Sequence, residues 1–346
     1  MLQLQTLTLH TASPVVTHFP FDVERTVTLP SLTHLDILAS LRDCALAIAH
    51  LDLPALTSLC LTEINRCPRN TRRVQEFLPY LAKHVYGPQD IRPLQSVLIR
   101  NRDNSDEIHF LAWSVPDIDT VVHNPPAILG ATLPTRVNLC FRGGSFAGLE
   151  IFEMAMAALP LDGLLTLVAV DLNVCDTQGY KNISYFSQFW LRRLPNWPLL
   201  RRVRLGPDAL EGFIEALLED CKNPLLPSLT ELALVRTRSR ADMTLFLCDM
   251  AMKRVEDGVP LETLDLRMCY RHAYNPVAVR LLSEIVVDVL RPFDFLNPED
   301  IEDDEGCRAG HEMFLEMTSL WDCFPPSSYG NVSEDEENED DEDEDE

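Results

Sequence analysis

The sequence lacks paired cysteines and long apolar runs, and these absences limit its class. Its 10 cysteines are scattered singly, with no Cys-x-x-Cys pair and no cysteine–histidine cluster at zinc-ligand spacing. Several lie inside apolar stretches, where a reduced cysteine packs as a small hydrophobic residue. The chain has no signal peptide and no apolar run of about 18 residues. We therefore expect a soluble chain with reduced thiols, located in the cytoplasm or the nucleus.

Motifs of catalysis and cofactor binding are also missing. The chain contains no G-x-G-x-x-G, no G-x-x-x-x-G-K-[ST], no G-x-S-x-G and no H-E-x-x-H. Gly143-Gly144 follows a predicted strand, and a tight turn explains this pair better than a phosphate-binding loop does. The nine histidines are scattered. We therefore predict no catalytic residue, no cofactor and no metal site, and hence a chain that is not an enzyme.

The net charge of −25 is concentrated at one end of the chain. Residues 294–346 contain 22 acidic residues and one basic residue, Arg308, which leaves a charge of −4 for residues 1–293. Such an acidic appendage repels nucleic acid and anionic membranes. Arginines cluster at 192–204 and at 236–240. Because the body is not basic, the clusters are weak evidence for nucleic-acid binding, and pairing with the acidic tail explains them equally well.

The chain is rich in a recurring strand phrase, Leu-x-x-aliphatic-x-aliphatic. The phrase begins at Leu4, Leu32, Leu56, Leu94, Leu165, Leu200, Leu229 and Leu261, and a degenerate copy begins at Val137. Alternation within the phrase is the period-two pattern of a short strand with one buried face. Proline precedes many copies, where a residue that donates no hydrogen bond to a sheet is tolerated.

Segments with helical periodicity separate these phrases. They are residues 70–84, 145–159, 182–194, 208–221, 241–255 and 276–290. Strands that alternate with helices predict parallel strands joined by crossover helices. The predicted fold class is therefore α/β, an irregular leucine-rich-repeat solenoid (a horseshoe) with short parallel strands and crossover helices. We assign this solenoid to residues 1–293.

Both ends of the predicted solenoid need separate treatment. No polar capping unit precedes Leu2, so we expect the unit or domain that caps the repeats to be missing from this sequence. Residues 294–324 are predicted to be an acidic linker with a C-terminal cap helix at 311–321, and residues 325–346 a disordered acidic tail. The apolar residues of that cap are Met313, Phe314, Leu315, Met317, Leu320 and Trp321. Ser333, which three acidic residues follow, is a candidate phosphorylation site.

The strand phrases support a resemblance to a known family. LPSLTHLDIL, LDLPALTSLCL, LPSLTELAL and PLETLDLRMC resemble the F-box-like leucine-rich-repeat family of mushroom-forming (basidiomycete) fungi, over most of residues 1–293. Members of that family typically carry an N-terminal F-box that docks on the Skp1 adaptor of a cullin ubiquitin ligase, while their repeats hold a target. No F-box precedes Leu2 here. The resemblance therefore implies the substrate-recognition part of such a receptor, with Skp1 and cullin as partners only if an F-box lies upstream.

The outward positions of the predicted strands indicate where a partner would bind. If Val203 and Leu205 point inward, Arg202 and Arg204 lie on the concave face, where solenoids bind partners. The same parity places on that face Glu231, Thr263, Asp265, Arg267, His34 and Asp36, with Thr6, Thr8, Ser58 and Ser96 at matching positions. An ordinary solvated sheet face explains these residues equally well. We predict a monomer that binds an unidentified protein, and neither nucleic acid nor membranes.

Two other functions fit the combination of repeats and an acidic tail. Acidic leucine-rich nuclear proteins that bind histones have this layout, and so does the GTPase activator of Ran. Both have short repeats of near-constant length, whereas the intervals here vary widely. Affinity for core histones would favour the first alternative, and stimulated GTP hydrolysis would favour the second.

The composition of the tail generates a first prediction. Its last 13 residues hold 12 acidic side chains and no apolar one, so no burial can offset the entropy lost on ordering. We expect proteinase K to remove the chain beyond Pro326 first, with no change in the melting temperature of the remainder. Mass spectrometry of the early fragments is the measurement. A protease-resistant tail with dispersed amide signals would contradict the prediction.

Overall fold

The structure is a computed structural model. It describes residues 4–10, 26–54, 56, 58–63, 78–79, 81–82, 93–101, 107–116, 136–142, 153, 156–170, 183–219, 223–235, 241–269 and 276–291. The predicted linker, cap and tail, with Ser333, lie outside the described residues. Gly143-Gly144 and the arginines of 236–240 lie outside them as well.

The described chain is an α/β protein built on one large, mostly parallel sheet. Its strands are β1 (Thr6–His10), β3 (His34–Ala39), β5 (Ser58–Glu63), β6 (Ser96–Asn101), β7 (Glu107–Trp113), β8 (Val137–Arg142), β9 (Thr166–Val170), β10 (Arg202–Leu205), β11 (Glu231–Val235), β12 (Thr263–Met268) and β13 (Asp288–Leu290). They lie side by side in the order β1-β3-β5-β8-β7-β6-β9-β10-β11-β12-β13. Two short strands, β2 (Val27–Thr28) and β4 (Leu51–Asp52), pair in parallel as a second small sheet.

The middle of the large sheet departs from the predicted all-parallel arrangement. β7 runs antiparallel to both β6 and β8, and these three strands occur in reverse order, so that β8 rather than β6 adjoins β5. The prediction that every strand is parallel is therefore wrong at β7. Only five residues separate Asn101 from Glu107. A connection that short can form a hairpin, whereas a parallel crossover needs about a dozen residues.

Helices connect the parallel strands over much of the chain. They are α1 (Leu41–Ala49), α2 (Ile183–Arg193), α3 (Pro207–Leu218), α4 (Ala241–Glu256) and α5 (Pro276–Ile285), and a short 3-10 helix (Leu194–Asn196) follows α2. Residues 78–79, 81–82, 153 and 156–158 are also helical, within two of the predicted segments. α1 was not predicted; it begins after Ser40, whose hydroxyl accepts a hydrogen bond from the Asp43 amide at 3.2 Å. No described helix is long and apolar enough to cross a bilayer.

The last predicted helix is too long. The periodicity predicted a helix up to Leu290, but α5 ends at Ile285, and Asp288–Leu290 instead forms the final strand, β13. Val286, Val287 and Val289 explain the change, because β-branched side chains lose rotamer freedom in a helix and pack well on a sheet.

Cross-strand register gives the sheet one continuous apolar face, the helix side. Its central row of register partners is Leu7, Leu35, Leu59, Val137, Ala112, Val97, Leu167, Val203, Leu232, Leu264 and Val289. These residues share one core with helix side chains such as Ala45, Phe213 and Leu247. The predicted inward face is confirmed in β3, β5, β6, β10, β11 and β12. It is wrong in β9, where the phrase beginning at Leu165 placed Val168 inward. The buried set there is Leu164, Leu167 and Ala169, and Val168 lies on the opposite face. Each buried leucine contributes about 1.5–3 kcal/mol.

A buried arginine links α4 to the preceding connection. Arg254 donates hydrogen bonds to the carbonyl oxygens of Leu225 at 3.1 Å, Leu226 at 3.1 Å and Leu229 at 3.0 Å. Leu226 has a positive φ of 52°, which a bulky residue rarely adopts. Burial lowers the pKa of Arg254 to about 10, so the side chain stays charged at neutral pH. A charged donor thus holds an unusual turn just before β11.

Substitutions on the helix side of β11 and β12 test this core. Leu232 and Leu264 are 0% and 1% exposed. Leu232→Asp or Leu264→Asp should unfold the chain, because an unpaired buried charge costs several kcal/mol against a total stability of about 5–15 kcal/mol. Leu199→Asp is the matched control, since Leu199 is 50% exposed. Thermal unfolding followed by circular dichroism is the measurement, and core variants that melt like the control would contradict the assignment.

Candidate protein-binding face

The face of the large sheet opposite the helix side is called the open face here. Six residues predicted to bind a partner lie on it and are brought together at β10, β11 and β12. Arg202, Glu231 and Thr263 are register partners in one cross-strand row, and Arg204, Ala233 and Asp265 form the next row. We call Arg202, Arg204, Glu231, Thr263, Asp265 and Arg267 the charged group.

Arg202 and Glu231 form an ion pair at the surface of the charged group. The Arg202 Nε lies 3.1 Å from the Glu231 Oε2, and the two side chains are 47% and 30% exposed. A pair this accessible contributes about 0.2–1 kcal/mol to stability, because water screens it. Both side chains are therefore partly accessible to solvent.

Asp265 and Arg267 form a different kind of pair. Asp265 was expected to point into solvent, yet it is only 5% exposed. Arg267 donates to both of its carboxylate oxygens, from Nε at 3.0 Å and from Nη2 at 2.8 Å, and the Arg267 amide adds a third hydrogen bond at 3.0 Å. Bidentate, charge-assisted bonds of this kind are strong. Asp265 therefore positions Arg267, whose side chain is 33% exposed.

The other two predicted residues lie elsewhere. His34 and Asp36 are on β3, which is six strands from β10, or about 29 Å at the usual strand spacing. The Nδ1 of His34 lies 2.8 Å from the Thr33 hydroxyl. Because of their distance from β10, His34 and Asp36 belong to a separate surface from the charged group.

A thiol lies beside Asp36 on that surface. Burial and the neighbouring Asp36 carboxylate raise the pKa of the Cys60 thiol to about 12, so this thiol is protonated at neutral pH.

The centre of the open face is buried, which the sequence analysis missed. Leu98, Leu111 and Val168, on β6, β7 and β9, are all buried although they lie outside the main core. Ser96, predicted to be a solvated position, is fully buried, and its hydroxyl donates to the carbonyl oxygen of Val115. The chain that leaves β7 therefore contacts the start of β6. The missed signal was consecutive apolar residues in these strands, a pattern typical of strands covered on both faces.

The Thr166 hydroxyl extends that contact to the next strand. It donates to the carbonyl oxygen of Pro116 at 2.5 Å, so the segment Ser114–Pro116 contacts the first residues of both β6 and β9. The buried centre of the open face lies between β1, β3 and β5 on one side and β10, β11 and β12 on the other. We call the segment Ser114–Pro116 the strap.

One thiol on the open face has a base beside it. The Sγ of Cys140 lies 3.6 Å from the Nε2 of His109, and these residues are register partners on β8 and β7. A base beside a thiol can activate it for nucleophilic catalysis. Cys140 is only 5% exposed, however, so a substrate would not reach the sulfur in this conformation.

Within the described ranges, no three histidine, cysteine or acidic side chains are grouped to hold a metal ion.

The sequence matches no protein-family model and no curated protein. The functional assignment therefore depends on the residues of the open face themselves.

The two ion pairs of the charged group should differ in strength. A double-mutant cycle of Asp265→Ala and Arg267→Ala should give a coupling energy of about 1.5–3 kcal/mol, because the buried carboxylate loses its charged donor. The matched cycle, Arg202→Ala with Glu231→Ala, should give about 0.2–1 kcal/mol, since that pair is exposed. Urea unfolding of the wild type, the four single variants and the two double variants provides the free energies. Equal coupling in the two cycles would show that burial does not strengthen the Asp265–Arg267 pair.

Proposed function

We propose that this chain is a leucine-rich-repeat solenoid that binds another protein through the charged group and catalyses no reaction itself. The proposal is supported by the run from β9 to β13, where strands that follow one another along the chain lie side by side and in parallel. Helices α2, α3, α4 and α5 separate these strands one by one. In solenoids each repeat packs on its neighbours and leaves an extended strand face available for recognition.

The observation that carries the proposal is the accessible, mixed-sign surface of the charged group. Arg202 is exposed, Glu231 is half-buried, and the two form an ion pair at the surface, while the buried Asp265 orients Arg267. A rigid sheet that presents both signs of charge complements a folded protein surface of mixed charge, and such complementarity sets specificity and association rate. Neighbouring strands contribute different side chains, which suits a specific polypeptide better than a repetitive polymer.

The resemblance to the fungal F-box-like family suggests the biological setting. In that setting the charged group would hold the substrate of a ubiquitin ligase, and an F-box upstream of this sequence would hold Skp1. The two binding activities would then reside in different parts of the native product. This separation makes them independently testable.

Charge reversal on β10 tests the proposal. The full native transcript product, carrying Arg202→Glu and Arg204→Glu, should remain folded but recover its target from an extract about tenfold less well, a loss of roughly 1.4 kcal/mol in binding. Skp1 recovery should stay at the wild-type level, because no contact to Skp1 is assigned to β10. Quantitative mass spectrometry of the captured proteins is the measurement.

The control for this experiment has the same change in charge on another surface. Arg280 and Arg291 are exposed residues in and after α5, so Arg280→Glu with Arg291→Glu should leave target recovery unchanged. Equal target recovery with the wild type, the control and the β10 variant would move the binding surface away from the charged group. Turnover of any substrate by the purified chain alone would end the proposal that it is not an enzyme.

A further inference from the structure

The last two helices carry exposed apolar side chains that call for a covering partner. Leu245, Met252 and Val255 on α4 are 55%, 50% and 47% exposed, and Val277 and Leu281 on α5 are 67% and 44% exposed. With Phe246 and Val287, this corner of the protein holds seven of the ten large apolar side chains that are exposed in the described chain. Single exposed apolar residues are ordinary, but a cluster marks a contact surface.

One stripe between the two helices is formed by five of these residues: Leu245, Met252, Val255, Val277 and Leu281. Leu245, Met252 and Val255 fall on the side of α4 that also carries Cys248, at helical spacings of three, seven and ten from Leu245. The Cys248 thiol donates to the carbonyl oxygen of Ala278 on α5 at 3.6 Å, so this side of α4 faces α5. Both helices connect parallel strands and therefore run in the same direction. Met252 then lies level with Leu281, and we call the five residues the α4–α5 stripe.

The chain itself supplies a segment that matches the stripe. The described residues end at Arg291, directly after β13, and 55 residues follow. Among them, the segment 311–322 places apolar residues at Met313, Phe314, Met317, Leu320 and Trp321. This spacing is that of a helix with one apolar face, and Leu315 falls on the opposite side. Amphipathic helices of this kind bind in apolar grooves between helices.

Length and charge favour this segment over a second copy of the protein. The 21 residues between Arg291 and Met313 span about 25 Å as a flexible chain, whereas α5 is only about 15 Å long. A segment tethered so close has a high effective concentration at the stripe. Its polar residues include Glu312, Glu316 and Asp322. On α5, Arg280 is 84% exposed beside Leu281 and lies 3.9 Å from Glu284, too far for a hydrogen bond.

We propose that residues 311–322 form an amphipathic helix that docks on the α4–α5 stripe of the same chain. Met313, Met317 and Leu320 cover the apolar side chains of α4 and α5, and Glu316 lies near Arg280. The docked helix seals the last repeat at the helix side. This inference is independent of the proposed partner-binding function, since the charged group lies on the opposite face of the sheet.

Hydrogen exchange of the full-length chain tests the docking. In the wild type, amides of 313–321 should exchange about tenfold to hundredfold more slowly than in Met317→Asp, the change expected from losing one buried apolar side chain. Leu315→Asp is the matched control, because it introduces the same charge on the opposite side of the predicted helix. It should keep wild-type protection. Equal exchange in the three proteins would overturn the proposal, and so would equal loss in both variants.

Photo-crosslinking locates the contact. Replacing Leu281 by p-benzoylphenylalanine should yield crosslinks to residues 311–322, whereas the same replacement at Leu199, a residue of similar exposure before β10, should not. Mixing isotope-labelled and unlabelled chains separates crosslinks within one chain from those between chains. Crosslinks within one chain support the proposal. Crosslinks that join two chains would assign the stripe to a second copy, and the absence of any difference between the two positions would also overturn the proposal.

Discussion

The alignment of alternate residues across the eleven-stranded sheet is the constraint on which the rest of the structure depends. Every strand places an aliphatic or alanine side chain in the helix-side row that includes Leu35, Val203 and Leu232. Because side chains alternate with a period of two, a slip of one residue in any strand would exchange its two faces. In β10 such a slip would bury Arg202 and Arg204 against α3. The high energy of a buried, unpaired charge therefore helps to enforce the register.

Since the helix side is fixed by burial, the variation among the strands appears on the open face. Hydroxyl groups and histidines predominate at β1, β3 and β5, and buried apolar residues occupy the centre. Charged residues predominate at β10, β11 and β12. This gradation concentrates the accessible charge in one place. It is the reason why we propose a partner-binding surface at one end of the sheet and not along its whole length.

Much of the fold was predictable from sequence, because local alternation and helical spacing report burial directly. The recurring phrase located most strands of the large sheet, and the parity of Val203 and Leu205 placed Arg202 and Arg204 on the correct face. Strand neighbours were not predictable in the same way. The phrase is the same in β6 as in β5, and nothing in it shows that β8 will lie beside β5. Order within a sheet depends on loop length and on contacts between distant residues.

The site was predicted less well than the fold, and for a similar reason. Parity states which face a side chain occupies, but it does not state what covers that face. Ser96 has the parity of a solvated residue and contacts the strap, and Asp265 has the same parity and is held by Arg267. Arginine is usually a surface residue, but Arg254 is buried and donates hydrogen bonds to three backbone carbonyl oxygens. In each case the partner is set by tertiary packing.

The reversed order of β6, β7 and β8 has a consequence for how the protein comes apart. In a regular repeat array every unit pairs with the next unit along the chain, so fraying can advance from an end one unit at a time. Here β5 pairs with β8 and β6 pairs with β9, so two long-range junctions cross the middle of the sheet. The antiparallel unit of β6, β7 and β8 joins the two halves of the sheet, so neither half can separate without disrupting it. We therefore expect the sheet to unfold cooperatively as one unit, whereas a regular repeat protein can unfold progressively from one end.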